Sequence, residues 1–119
     1  MTNGIYDIVA LSSDLELAYE DITDLYISYI DEIDSHCEKL LEIYYKKDFI
    51  GLKNEIHNVK GVAANLLIKD VFDEASSFEK LLKHGDFTNS KEHLEILSKL
   101  LINSQSNVIQ SFANVNITL

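Results

Sequence analysis

Apolar positions recur along this chain at steps of three and four, and no alternating strand pattern competes with them. The clearest run is Phe49, Leu52, Ile56, Val59, Ala63 and Leu66, which predicts an amphipathic helix from about Asp48 to Leu67. Before it, Ser13 or Ser12 caps a long helix reaching about Lys46. Its inner stripe is Ala18, Ile22, Leu25 or Tyr26, Tyr29, Ile33, Cys37, Leu40 and Tyr44. Asp14 and Glu16 near its start and Lys46 and Lys47 at its end suit the helix dipole. After it, a helix opens with Asp70 as candidate N-cap, turns Val71, Phe72, Ala75, Phe78 and Leu82 inward, and stops at Gly85. The last helix starts near Asn89, with Glu92 at capping-box spacing, and buries Leu94, Leu97, Leu101, Val108 and Phe112. Residues 3–12 carry a weaker amphipathic pattern. Short connections make neighbouring helices antiparallel. The expected fold is all-α: an antiparallel up-down-up-down four-helix bundle with a short extra N-terminal helix, formed by residues 1–119 as a single domain.

Composition sharpens this picture. Proline is absent and only four glycines occur in 119 residues, so long helices are favoured over linkers and turns. The one cysteine, Cys37, has no partner for an internal disulfide, which fits a reducing compartment. No apolar run approaches the ~18 residues of a membrane span, and the N-terminus lacks a signal pattern. A cytoplasmic, soluble monomer is expected. The net charge is −10, and it is lopsided: residues 1–48 hold twelve acids against Lys39, Lys46 and Lys47. Arginine is absent, and there is no basic patch of the kind that nucleic-acid binding needs.

Candidate chemistry gathers at His57-Asn58-Val59-Lys60-Gly61-Val62-Ala63-Ala64-Asn65-Leu66. At roughly 100° per residue, His57 lies about 130° from the centre of the apolar stripe and faces outward. Lys60 and Gly61 share its side of the helix. Glycine in mid-helix costs about 1 kcal/mol relative to alanine, so a bare backbone beside an exposed imidazole calls for a reason. The reason is access: with no side chain at 61 and only a methyl at Ala64, the ring stands clear for a partner to cover. Lys53 adds a second cation one turn before His57. His36, His84 and His93 have no histidine at i+3 or i+4 and no Glu-x-x-His motif, so no metal site is expected. Asp31, Glu32 and Asp34 lack the loop glycine of a calcium-binding hand.

The segment resembles the histidine-containing phosphotransfer (HPt) family, whose motif reads His-x-Leu-Lys-Gly followed by small residues and Asn-Leu-Gly. His57, Lys60, Gly61, Ala63, Ala64, Asn65 and Leu66 match it, and Val59 stands in for leucine. Phe72-Asp73-Glu74-Ala75 and Phe78-Glu79-Lys80-Leu81-Leu82-Lys83-His84-Gly85-Asp86 are similar to the family's next helix, with its apolar-Glu pair and Gly-Asp ending. Leu67 departs from the pattern by standing where the family usually has glycine.

The resemblance implies a phosphorelay intermediate. His57 would accept a phosphoryl group from a receiver-domain aspartyl-phosphate and pass it to another receiver aspartate. Lys60 would stabilise the phosphoryl oxygens. Gly61, Ala64, Lys53 and Asn58 would contact the receiver, joined by Ile8 and Leu11 as exposed apolar groups of the first helix. Partners would be response-regulator receivers and a hybrid histidine kinase. No cofactor is expected, and any Mg²⁺ should come from the receiver's carboxylates. Two alternatives remain at this point: a non-catalytic module that binds a receiver or kinase, and a substrate domain phosphorylated directly by a histidine kinase. The 119 residues contain no nucleotide-binding loop and no catalytic domain, which speaks against a kinase acting in cis.

Overall fold

The computed structural model describes residues 6–119 as five helices and, among these residues, no strand. Helix α1 spans Ile8–Leu15, α2 Tyr19–Tyr45, α3 Phe49–Asn65, α4 Lys69–Lys83 and α5 Ser90–Ala113. The long helix expected from Ser12 or Ser13 onward begins only at Tyr19. Both serines lie inside α1, which ends where Glu16 takes a left-handed backbone (φ 53°), and Ser12 Oγ donates to the Leu17 carbonyl at 2.6 Å. Residues 3–5 of the expected first helix lie outside the described residues.

Helices α2 to α5 close a ring in which α3 and α5 each pack against both α2 and α4. The contacts that join neighbours run in opposite sense along the two helices. Tyr26 on α2 reaches Leu66 just past α3 while His36 reaches Glu55, and Phe49 on α3 stacks on Phe87 while His57 reaches Glu79. The core holds most of the predicted stripes: Ile22, Tyr26, Tyr29, Ile33 and Leu40 from α2, with Val71, Ala75, Phe78 and Leu82 from α4, while Cys37, Tyr44 and Phe72 are half-buried and Ala18, expected inward, is exposed. Of the two alternatives at the α2 stripe, Tyr26 is buried and Leu25 is exposed. All five apolar residues expected inward on α5 are buried. The buried tyrosine hydroxyls find partners, Tyr26 on the Leu66 carbonyl and Tyr29 on Ser104.

Helix ends explain the remaining boundaries. Asp48 caps α3 by accepting from the Gly51 amide at 2.9 Å. Asp70 is not an N-cap; it sits in the first turn of α4, where its carboxylate accepts from the Tyr6 hydroxyl and the Val71 amide. Asn89 precedes α5 without a side-chain capping bond. At the end of α3 the Ile68 amide returns to the Ala63 carbonyl and the Leu67 amide to Ala64, the paired bonds of a Schellman motif. The same motif ends α4, where Gly85 supplies the left-handed residue with φ 74°. On α3 that place belongs to Leu67, with φ 56°. The turn therefore keeps its shape despite the missing glycine, at the cost of a leucine in a conformation L-residues avoid. No helix among the described residues is long and apolar enough to cross a membrane.

Candidate functional site

His57 sits in the middle of α3, two turns from either end, with its side chain 62% exposed. Its Nδ1 lies 2.7 Å from Glu79 Oε2 on α4, and Lys60 Nζ lies 2.6 Å from the other oxygen, Glu79 Oε1. Lys83 Nζ stands 3.9 Å from the same carboxylate. Glu79 is 3% exposed, an acid set among Ala75, Phe78 and Leu82 on the inner face of its helix. Burial pushes its pKa upward. The hydrogen bonds from Lys60 and His57, followed by the charges of Lys60 and Lys83, outweigh burial and leave the carboxyl below its ordinary value. It is therefore ionised at neutral pH.

An ionised carboxylate only accepts hydrogen bonds, so the Nδ1 facing Glu79 carries hydrogen. In the neutral ring the lone pair then belongs to Nε2, the nitrogen turned away from α4. Glu79 thus fixes both the tautomer and the orientation of an outward-facing nucleophile. Access is equally clear. A Cβ built on Gly61 meets nothing within 4 Å, and Ala64 is exposed one further turn along.

The other sequence-predicted residues divide. Lys60 lies beside His57, but its ammonium rests on Glu79. Lys53 is half-buried on the turn before His57, and Asn58 is exposed, its amide 3.5 Å from Glu55. Ala64 lines a largely apolar cavity of about 570 Å³ with Tyr6, Ala10, Leu67 and Phe72. Ile8 and Leu11 must be corrected. Both are buried in the core, because α1 turns that face inward where Tyr6 anchors the chain to Ser111 and Asp70. They offer nothing to a docking partner.

Glu79 is the residue that sequence reasoning left without a role. An acid inside the stripe Ala75, Phe78, Leu82 was the available signal, since a buried carboxylate needs a partner. Glu55 carries the same signal among Leu52, Ile56 and Val59. It accepts from His36 Nδ1 at 3.4 Å and pairs with Lys39 at 3.2 Å, so His36 and Lys39 repeat the three-residue spacing of His57 and Lys60. Among the described residues, no group of three or more His, Cys, Asp or Glu side chains is gathered as metal binding would require.

Comparison with protein families matches the Hpt domain family over residues 24–107. Neither a characterised protein nor a solved structure matches the chain.

Proposed function

This chain belongs to the Hpt domain family, whose members carry out histidine phosphotransfer in phosphorelay signalling, and we propose from that premise that His57 Nε2 is its phosphoryl acceptor. The observation that carries this reading is the Glu79 carboxylate 2.7 Å from Nδ1, which leaves Nε2 free and outward. The scaffold is an up-down-up-down four-helix bundle, and it serves to hold α3 and α4 in the register that brings these two side chains together.

The transfer balances simply. Nε2 attacks the phosphorus of a receiver's aspartyl-phosphate, the N–P bond forms, the P–O bond to the aspartate breaks, and the aspartate leaves as a carboxylate. The ring, still holding its Nδ1 hydrogen, becomes cationic, and that charge faces Glu79. The acid therefore stabilises the product as well as orienting the reactant. The reverse step hands the phosphoryl group to an aspartate of a second receiver. Phosphoryl transfer depends mainly on positioning and charge neutralisation, so an acyl phosphate donor needs little more than this. Lys60, one turn on, bridges Glu79 and the incoming phosphoryl oxygens, and Lys83 adds a second cation. Any Mg²⁺ arrives with the receiver. The donor receiver belongs to a hybrid histidine kinase, and the protein works as a cytoplasmic monomer.

The decisive experiment is incubation with phosphorylated receivers of the source organism. His57→Gln should remain helical and take up no phosphate, since the ring contributes little to the core. Acid-labile label retained by that variant would refute the assignment.

A further inference from the structure

The outward face of α3 is unlike that of its neighbour. Ile50, Asn54, His57, Asn58, Gly61, Ala64 and Asn65 are its exposed residues, and none is an acid or a lysine. Its one acid, Glu55, is buried, while Lys53 and Lys60 flank the face half-buried. Helix α2, immediately beside it, exposes eight acids: Glu20, Asp21, Asp24, Asp31, Glu32, Asp34, Glu38 and Glu42. Chance does not readily leave a whole helix face without carboxylates in a chain of net charge −10. Depletion of charge is the mark of an interface centre.

Ile50 is the conspicuous member of that face. It is 73% exposed, more than any other large apolar side chain described. Seven residues separate it from His57, which is close to two full turns, so it lies on the same line of the helix about 10.5 Å away. Ala64 lies the same distance in the other direction. A standard interface covers about 800 Å² per partner, equivalent to a disc of radius roughly 16 Å. Any partner that centres an aspartate on His57 with such an interface must also cover Ile50.

We propose that the phosphodonor receiver covers the uncharged face of α3 along its length and seats an apolar surface of its own on Ile50. The inference rests on the relay reading. Charge supports that occupant: a receiver's acceptor aspartate and the carboxylates that hold its metal make an acidic pocket, which suits a face with no exposed acid and with Lys53, Lys60 and Lys83 around it. Ile8 and Leu11 offer no anchor on the α1 side, because both are buried.

The test compares the wild type with Ile50→Asp and Ile50→Leu. Position 50 lies in the first turn of α3, where an aspartate suits the helix dipole, so a loss of function would not report misfolding. The donor is the phosphorylated receiver that labels the wild type fastest, and Kd for that receiver is measured alongside transfer. Ile50→Asp should raise KM and Kd about tenfold, the effect of losing roughly 1.4 kcal/mol of contact, with kcat little changed. Ile50→Leu should restore both. Phosphoramidate, which needs no docking surface, should label His57 of all three proteins at one rate. Unchanged KM and Kd in Ile50→Asp would overturn the proposal while leaving the relay reading intact. If receivers bind but never transfer, the relay reading fails, and the tenfold change in Kd alone must still appear for this surface to stand. A wild-type dimer that Ile50→Asp separates would assign the face to a second copy of the chain instead.

Discussion

Replacing Glu79 with glutamine tests whether the acid directs the chemistry of His57. The two carboxylate oxygens serve two donors, His57 Nδ1 at 2.7 Å and Lys60 Nζ at 2.6 Å. An amide keeps one acceptor and turns the other into a donor, so it can satisfy only one of them. If its oxygen stays with the charged Lys60, its NH₂ faces Nδ1. The ring then does best with hydrogen on Nε2, the nitrogen that must attack. A hydrogen bond to a charged group contributes about 1.5–3 kcal/mol, and the exposure of His57 to water argues for the lower part of that range. About 1.5–2 kcal/mol corresponds to a fall in transfer rate of roughly 10- to 30-fold. Single-turnover transfer from a phosphorylated receiver measures the rate, and ¹⁵N NMR of the imidazole reports which nitrogen carries hydrogen. An unchanged rate with hydrogen still on Nδ1 would refute the orienting role. Stability supplies a second readout with a definite sign. The Glu79 carboxyl is depressed below 4.5 in the folded state, so its contribution is present above about pH 4.5 and is lost as pH falls through the folded value. The difference in stability between wild type and variant should therefore shrink below pH 4.5. A difference that is constant from pH 7 to pH 3 would contradict the linkage.

Three further substitutions separate access, charge and backbone strain. Gly61→Gln should stabilise α3 by up to about 1 kcal/mol, raising Tm by a few degrees, because its Cβ meets nothing; it should also block transfer by crowding the ring. Transfer at the wild-type rate would remove the access argument. Lys60→Ala should slow transfer and also destabilise the fold by about 1–3 kcal/mol, because it strips a hydrogen-bonded cation from the buried Glu79; chemical denaturation and single-turnover kinetics read the two effects separately. Leu67→Gly should raise stability by about 0.5–1 kcal/mol, the relief of left-handed strain less the entropy of glycine. A fall in Tm would show that the Leu67 side chain contributes more at the cavity beside Ala64 than its backbone costs.

The helices were legible because each buries a stripe at helical spacing; the α5 stripe is wholly buried, and those of α3 and α4 are buried except for the half-buried Phe49 and Phe72. What periodicity misplaced was the break between the first two helices, which falls at Glu16 and Leu17 and not at Ser12 or Ser13. Residues 8 to 45 read as amphipathic on both sides of it, and no proline or glycine marks the turn. The first-helix docking residues failed for a related reason. A short helix with apolar residues on several sides does not reveal which side is covered, and here Ile8 and Leu11 face inward while Val9 faces out. The clustering of the proposed site was legible, since His57, Lys60 and Gly61 share one helix face. Its counterpart Glu79 was not, because the pairing is made between two helices and has no local spacing to read. The position of Lys60 shows the same limit: spacing placed it beside His57, but only the neighbouring helix shows that its ammonium is held by an acid.

The fold also distinguishes the proposed acceptor from the other histidines. Three His–Glu pairs join successive helices: His36 with Glu55 across α2 and α3, His57 with Glu79 across α3 and α4, and His93 with Glu74 across α4 and α5. A glutamate near Nδ1 therefore does not by itself distinguish His57 from the other two. His36 even repeats the lysine three residues on, yet its side chain is only 21% exposed and its Nε2 lies 3.8 Å from the Glu32 carboxylate, where an incoming phosphoryl group would meet like charge. The residue four positions after His36 is the buried Leu40, whereas the one after His57 is glycine. His93 is half-buried, with its ring stacked on Phe78. His57 alone among the three combines a carboxylate behind the ring with open space in front of it. Phosphopeptide mapping after transfer should accordingly find label on His57 and none on His36 or His93. Label on His36 would mean that the carboxylate–lysine arrangement selects the acceptor by itself and that access does not.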